Sequence, residues 1–263
     1  MAAVSTVPGM ADRRDELTVE ACQRMFHEFA RTTASRAPLY SRLSDAIAED
    51  AELAGLLLQA PPTQRQPVLF FASVHDLLLA DRREELAAWY PNLTGEPRRD
   101  DPLPALRRLC ASQAAGLADR LATRSTQTNE IGRCAVLVPV LRLLAEDVGG
   151  PLAHLDVGTS AGLNLLLSHY RYRYEPAGHV VGDPASAVEL VCGTRGPVPL
   201  PGALPPIAAS VGLDRSPVDV RDDDAVRWLE ACCWPDQVDR FERLRAAISI
   251  AREVGLDVRR GDA

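Results

Sequence analysis

The spacing of apolar residues divides the chain in two. From about Glu16 to Glu146 nearly every segment carries the three- and four-residue periodicity of a helix face. Phe26, Phe29 and Ala30 begin it; Leu39, Leu43 and Ile47, then Leu53, Leu56 and Leu57, continue it. Pro61-Pro62 interrupts the run. Val68 to Leu79 is apolar on all sides and predicts a buried helix. A shorter segment closes at Trp89-Tyr90-Pro91, another helix is expected over Pro102 to Leu121, and a further one over Ile131 to Val148. Gly149-Gly150-Pro151 is a strong stop, so about five helices precede it.

After Pro151 the period shortens. Leu152 to Val157 reads as a strand, and Leu163 to Tyr170 as a helix. Tyr170 to Tyr174 alternates tyrosine and arginine with period two, predicting a half-buried strand. With Gly178 as a turn and Val188 to Cys192 as another strand, this reads as an antiparallel insertion. Five prolines between Gly196 and Pro206 require an irregular loop. Ile207 to Leu213 is a strand ending at Asp214, Asp224 to Cys233 and Val238 to Glu253 are helices, and Val258 to Ala263 begins as a strand.

The expected architecture is therefore α/β. A loose tail (1–15) precedes a helical domain (16–150). A Rossmann-like three-layer α/β domain (151–263) follows, with a hairpin and proline-rich insertion at about 170–206. Three strands are few for an open parallel sheet, so the domain is expected to be truncated at its C-terminus.

Composition narrows the chemistry. A net charge of -7 disfavours a nucleic-acid surface. There is no lysine; all 29 basic residues are arginine, which excludes a Walker-type phosphate loop and a side-chain Schiff base. The six cysteines form no C-x-x-C pair, so no structural zinc site is expected. No signal peptide or spanning run is recognisable, and Cys134 to Ala145 is too short and too interrupted to cross a bilayer. A cytoplasmic protein with a small-molecule substrate is expected, without a metal and away from membrane and nucleic acid.

The chemistry concentrates at Asp156-Val157-Gly158-Thr159-Ser160-Ala161-Gly162-Leu163-Asn164, where a strand ends in an acid and a small-residue turn. Such junctions face the ligand crevice of open α/β sheets. Glycines allow close backbone approach, and a following helix would aim free N–H groups at the ligand. Leu155-Asp156-Val157-Gly158-x-x-x-Gly162 resembles the first motif of Rossmann-like S-adenosylmethionine-dependent methyltransferases, with Ser160 where that family usually has its middle glycine. Val211-Gly212-Leu213-Asp214 resembles the second motif, whose acid binds ribose hydroxyls, and Arg260-Gly261-Asp262-Ala263 the third, whose Asp faces adenine. The resemblance implies a cofactor site of Asp156, Gly158, Ser160, Gly162, Asn164, Asp214 and Asp262 for S-adenosylmethionine. Asp156 and Asp214 lie 58 positions apart, against about 20 in a compact dinucleotide-binding unit.

The same letters fit G-x-S-x-G, the nucleophile turn, and resemble the patatin-like lipases, with Ser160 as nucleophile. No glycine-rich oxyanion loop precedes it, and none of Asp183, Asp214, Asp219, His169 or His179 stands in a telling context. A non-catalytic ligand-binding protein is the third alternative.

A second polar segment, Thr123 to Cys134, joins two helices. Thr128 or Asn129 suits a helix cap. Gln127, Asn129 and Arg133 also suit substrate contacts, with Glu130 as a catalytic base. His75 reads as a satisfied core histidine and Asp222-Asp223-Asp224 as a helix start. Phe26 to Ala30, Ser41 to Asp50, Thr126 to Glu130, the central turn and Gly182 to Ser186 together resemble the uncharacterised bacterial family called domain of unknown function 2332. That resemblance covers nearly the whole chain, implies a usual length greater than this one and brings no activity with it.

Overall fold

The structure is a computed structural model that describes residues 18–262. The expected tail (1–15) and Ala263 lie outside the described residues. The fold is mixed α/β. Helices α1 (Val19–Thr33), α2 (Pro38–Ala48), α3 (Ala51–Gly55), α4 (Pro67–Ala80), α5 (Leu103–Ser112), α6 (Ala114–Thr123) and α7 (Cys134–Val148) come first, with short 3-10 turns between some of them. Strands β1 (Leu152–Val157), β2 (Arg171–Glu175), β3 (His179–Gly182), β4 (Glu189–Gly193) and β5 (Ile207–Asp214) follow, then α8 (Asp223–Ala231), α9 (Val238–Val254) and β6 (Val258–Arg260). No described helix is long and apolar enough to cross a membrane.

The buried segment Val68–Leu79 is α4, with Pro67 in its first turn and residues buried on every side. The single helix expected over Pro102 to Leu121 is two. At Gln113 the backbone leaves the helical range (φ −107°, ψ 23°), and the Gln113 side chain donates to Glu84 at 2.9 Å. The segment before Tyr90 is a 3-10 turn, Glu85–Trp89.

Leu163 to His169 is also a 3-10 segment, kinked at Leu166, and not the α-helix expected. Two phenols explain this. The Tyr170 hydroxyl donates to the Leu163 carbonyl at 2.7 Å, and the Tyr172 hydroxyl donates to the Leu167 carbonyl. Those are oxygens that an α-helix or its continuation would otherwise use. Tyr172 and Tyr174 point inward while Arg171 and Arg173 reach Glu189 across the strand pair. The insertion is a mixed sheet and not wholly antiparallel as expected: β2 pairs parallel with β4, the expected second strand, and antiparallel with β3, which the sequence did not mark as a strand.

The second sheet is parallel, ordered β1-β5-β6. Its faces differ. His154 and Asp156 of β1 face the protein, whereas Leu155 and Val157 are 62% and 55% exposed.

Two apolar cores form, one among α1–α6 and one around α7, α9 and the strands. Helix α8 joins them. Trp228 and Cys232 enter the first core; Val226, Leu229 and Cys233 enter the second. These are two stripes of one helix at spacings of three and four. Asp222 caps the helix by accepting from the amides of Asp224 and Ala225, so the acidic run starts a helix.

Beside α8 sits a buried charge cluster. Asp76 of α4 is 2% exposed and is held by Arg120 of α6 (2.7 Å) and Arg227 of α8 (3.0 Å). Next to it His75 is fully buried. Its Nδ1–H donates to the Ala231 carbonyl, and its Nε2 accepts from the Asn92 amide, each at 3.0 Å. Burial lowers its pKa from 6.5 to about 4.

Removing the Asp76 charge leaves the largely buried Arg120 without a carboxylate and Arg227 with Asp224 alone. Asp76→Asn is expected to cost about 3 kcal/mol in chemical unfolding, whereas Asp45→Asn at an exposed pair costs under about 1 kcal/mol. The unfolded chain protonates His75 near pH 6.5, the folded chain only near pH 4. Its contribution is therefore complete above pH 6.5 and declines as the pH falls toward 4, by about 3 kcal/mol. Unfolding of parent and His75→Gln across that range should show the parent losing this much more stability.

Candidate functional site

The central turn is shaped by three residues with left-handed backbone: Gly158 (φ +75°), Ser160 (φ +57°) and Gly162 (φ +76°). The Gly162 amide donates to the Thr159 carbonyl at 2.9 Å, closing a β-turn. Positive φ at its first central residue alone is the type II′ pattern, where glycine is usual and serine is strained.

Asp214 holds that strain in place. Its Oδ2 accepts from the Ser160 amide and its Oδ1 from the Ser216 amide, both at 2.8 Å. The acid ending β5 therefore organises the turn after β1 and its own loop together. Asp156 acts within the turn: its Oδ2 accepts from the Thr159 hydroxyl at 2.8 Å and from the Asn164 amide at 3.5 Å. Thr159 is pressed against Gly212 of β5, where a Cβ would stand 2.6 Å from its Cγ2.

The two end glycines differ. A Cβ on Gly158 would meet nothing within 4 Å, so this backbone is open to approach. A Cβ on Gly162 would lie 2.6 Å from Val258 Cγ2 and 3.1 Å from Leu256, so Gly162 serves internal packing. Asn164 is 3% exposed and accepts from the Cys134 thiol at 3.5 Å, facing inward. Burial pushes that thiol up to about 12. The first amide of the 3-10 segment, Leu163 N–H, donates to Asn129 Oδ1 at 3.0 Å. A helix N-terminus offering free N–H groups is thus absent here: the segment is short, kinked and capped.

The polar segment joins the same neighbourhood. Asn129 caps Leu163, and Gln127 Nε2 donates to the Ser216 carbonyl at 3.1 Å. Glu130 points elsewhere. It pairs with Arg240 at 2.6 Å, accepts from the Gly132 amide, and lines a 430 Å³ cavity with Asp236 to Arg240 and Arg243. Arg133 is exposed and makes no ion pair among the described residues. The Gly261 amide donates to the Asp214 carbonyl, which brings the end of β6 to the site, yet Asp262 is exposed. No metal-binding cluster occurs among the described residues.

Among the described residues of this turn, one hydroxyl is unmatched. Ser160 is 3% exposed and its Oγ has no partner. A cleft of 380 Å³ borders the turn at Ala161, walled by Pro217 to Arg221, the end of α9 and Val258. Gly158, Asp156 and Asp214 do not line it. Sequence reasoning missed Thr159, Ser216 and Arg240. Gly212 was the available signal for the first, since a glycine inside a strand marks a close approach.

Asp214→Ala is expected to cost about 2 kcal/mol, because two backbone amides lose their acceptor. Ser160→Gly should stay within about 1 kcal/mol of the parent, since relief of φ strain and of an unpartnered hydroxyl offsets the freer unfolded chain. Thermal unfolding of both variants checks this.

Comparison finds no matching curated protein and no matching solved structure. A family model described as an uncharacterized protein conserved in bacteria (DUF2332) matches residues 23–263. With that match running over nearly its whole length, the chain belongs to the bacterial DUF2332 family.

Proposed function

We propose that this chain binds S-adenosylmethionine at the carboxyl ends of β1 and β5 and belongs functionally with small-molecule methyltransferases. The supporting observation is the meeting of Asp156 and Asp214, two acids on adjacent parallel strand ends, around one left-handed turn. The order β6-β5-β1 is that of the first half of a doubly wound sheet, which places ligands at the carboxyl ends of its strands.

The residues fit the cofactor in two respects. Gly158 leaves open backbone, and the buried Ser160 hydroxyl lacks a partner. Asp156 and Asp214 each keep lone pairs for ligand hydroxyls beyond the bonds they already accept. Bound there, the cofactor supplies an electrophilic methyl group. The chain's own task is alignment: Asp214 and Asp156 hold the turn, and Gln127 and Asn129 fix the polar segment against it. Glu130 keeps a lone pair on each oxygen beside its Arg240 pair and Gly132 bond, and in this reading accepts a substrate proton there, with the Arg240 charge opposing that step. Asp262, exposed at the end of β6, is the adenine contact in this reading.

A second reading has one observation in its favour. The Ser160 φ of +57° in G-x-S-x-G is the backbone strain of a nucleophile turn. Against it, the Ser160 hydroxyl has no hydrogen-bond partner, so no histidine is in place to take its proton.

Titration calorimetry with S-adenosylhomocysteine should give saturable heat, and Asp156→Asn should weaken it by about tenfold or more. Absence of heat with the folded parent sinks the proposal. Labelling of Ser160 by a fluorophosphonate, lost in Ser160→Ala, would transfer the assignment to a hydrolase.

A further inference from the structure

The 430 Å³ cavity beside Glu130 holds more charge than the cofactor reading uses. Glu130, Asp236, Asp239, Arg240 and Arg243 all line it. Two of these cancel: Glu130 pairs with Arg240, whose guanidinium also donates to Gln237 Oε1 at 3.0 Å. One cation and two anions remain. Arg243 makes no ion pair among the described residues, although Asp239 stands one turn before it on α9. Asp236 accepts from the Leu39 amide at 3.3 Å from each oxygen and is likewise in no ion pair among the described residues. Burial pushes its pKa upward, so a cation beside it is favoured.

The inner end of the cavity offers a donor. A recess bounded by the same Glu130, Arg240 and Arg243 reaches Asn129. Asn129 is 8% exposed, and its Oδ1 is taken by the Leu163 amide. Its Nδ2 has no acceptor among the described residues. A buried amide nitrogen without an acceptor is costly, and a ligand oxygen would remove that cost. A bare anion entering here would meet two carboxylates, and a bare cation would meet Arg243. A molecule carrying both signs matches, and the cavity has the size of small-molecule sites.

We propose that this cavity binds a small zwitterion of the α-amino acid class, its carboxylate on Arg243 and the Asn129 amide and its ammonium between Asp236 and Asp239. Arginine suits the carboxylate because its planar fork can donate two parallel bonds. Asn129 also caps the segment after the central turn, so the carboxylate end of the ligand reaches a residue that borders the proposed cofactor site. The ligand's role as substrate rests on the methyltransferase reading; its binding does not.

Titration calorimetry of the full chain with each standard L-amino acid, without S-adenosylmethionine, tests it. At least one should give saturable heat at up to millimolar concentration. Its amide, which lacks the carboxylate, and its N-acetyl form, which lacks the ammonium, should each bind about tenfold more weakly or worse. Arg243→Gln should do the same, with thermal unfolding of the free protein unchanged, because that side chain is in no ion pair among the described residues. No saturable heat from any amino acid overturns the proposal. So does parental binding by Arg243→Gln, or equal binding of the deaminated acid, which would mark a plain anion site. S-adenosylhomocysteine is itself a zwitterion, so its heat is followed in Arg243→Gln as well. Heat retained there keeps the two sites separate, as expected; heat lost there gives the cavity to the cofactor and overturns the substrate class. Amino-acid binding with no response to S-adenosylhomocysteine upholds the cavity and removes only the cofactor reading.

Discussion

A single carboxylate fixes the candidate site. Asp214 accepts from the amides of Ser160 and Ser216, which belong to loops after different strands. Without it the left-handed Ser160 has no compensation for its backbone strain. Other parts of the site hang from the same point. Thr159 is set against Gly212, Gln127 reaches the Ser216 carbonyl, and the Gly261 amide meets the Asp214 carbonyl. The site is thus a junction of three strand ends and one interhelical segment, made rigid by backbone bonds more than by side-chain pairs.

A second tie joins the rest of the molecule to that junction. Helix α8 enters both cores, and Asp76, Arg120 and Arg227 close the polar gap beside it. Arg124 extends the chain of charges by pairing with Asp224 and lies over the Trp228 ring, whose Nε1–H donates to the Ser125 carbonyl. Residues 124 and 125 begin the polar segment. Packing of the helical part against α8 therefore constrains the segment that carries Gln127 and Asn129.

Much of this was legible because it depends on period and punctuation. Val68–Leu79 and Leu152–Val157 have unmistakable periods, and Gly149-Gly150-Pro151 ends a helix wherever it occurs. The grouping of Asp156, Ser160, Asp214, Gln127 and Asn129 followed from polar residues at strand ends and in one interhelical segment. What escaped depends on partners distant in sequence. Leucines at 163, 165, 166 and 167 suit an α-helix, yet phenols from the next strand claim its carbonyls. Glu130 looked like a free base because Arg240 lies far along the chain. The parallel pairing of β4 with β2, and the open face of β1, are likewise invisible to local pattern.

The absence of lysine has a consequence for charge at high pH. No ammonium side chain exists to discharge, and guanidinium groups such as those holding Asp76 keep their protons. All five tyrosines are pushed upward by burial, and burial raises the thiols of Cys110, Cys134 and Cys232 to about 12. Alkali finds few side chains to deprotonate in the folded chain, but the unfolded chain gives up those same thiol and phenol protons from about pH 8.5 to 10, so stability falls as the pH rises through that range, just as acid draws on His75. The fold is therefore undermined from both sides, by its buried phenols and thiols in base and by the buried imidazole of His75 in acid.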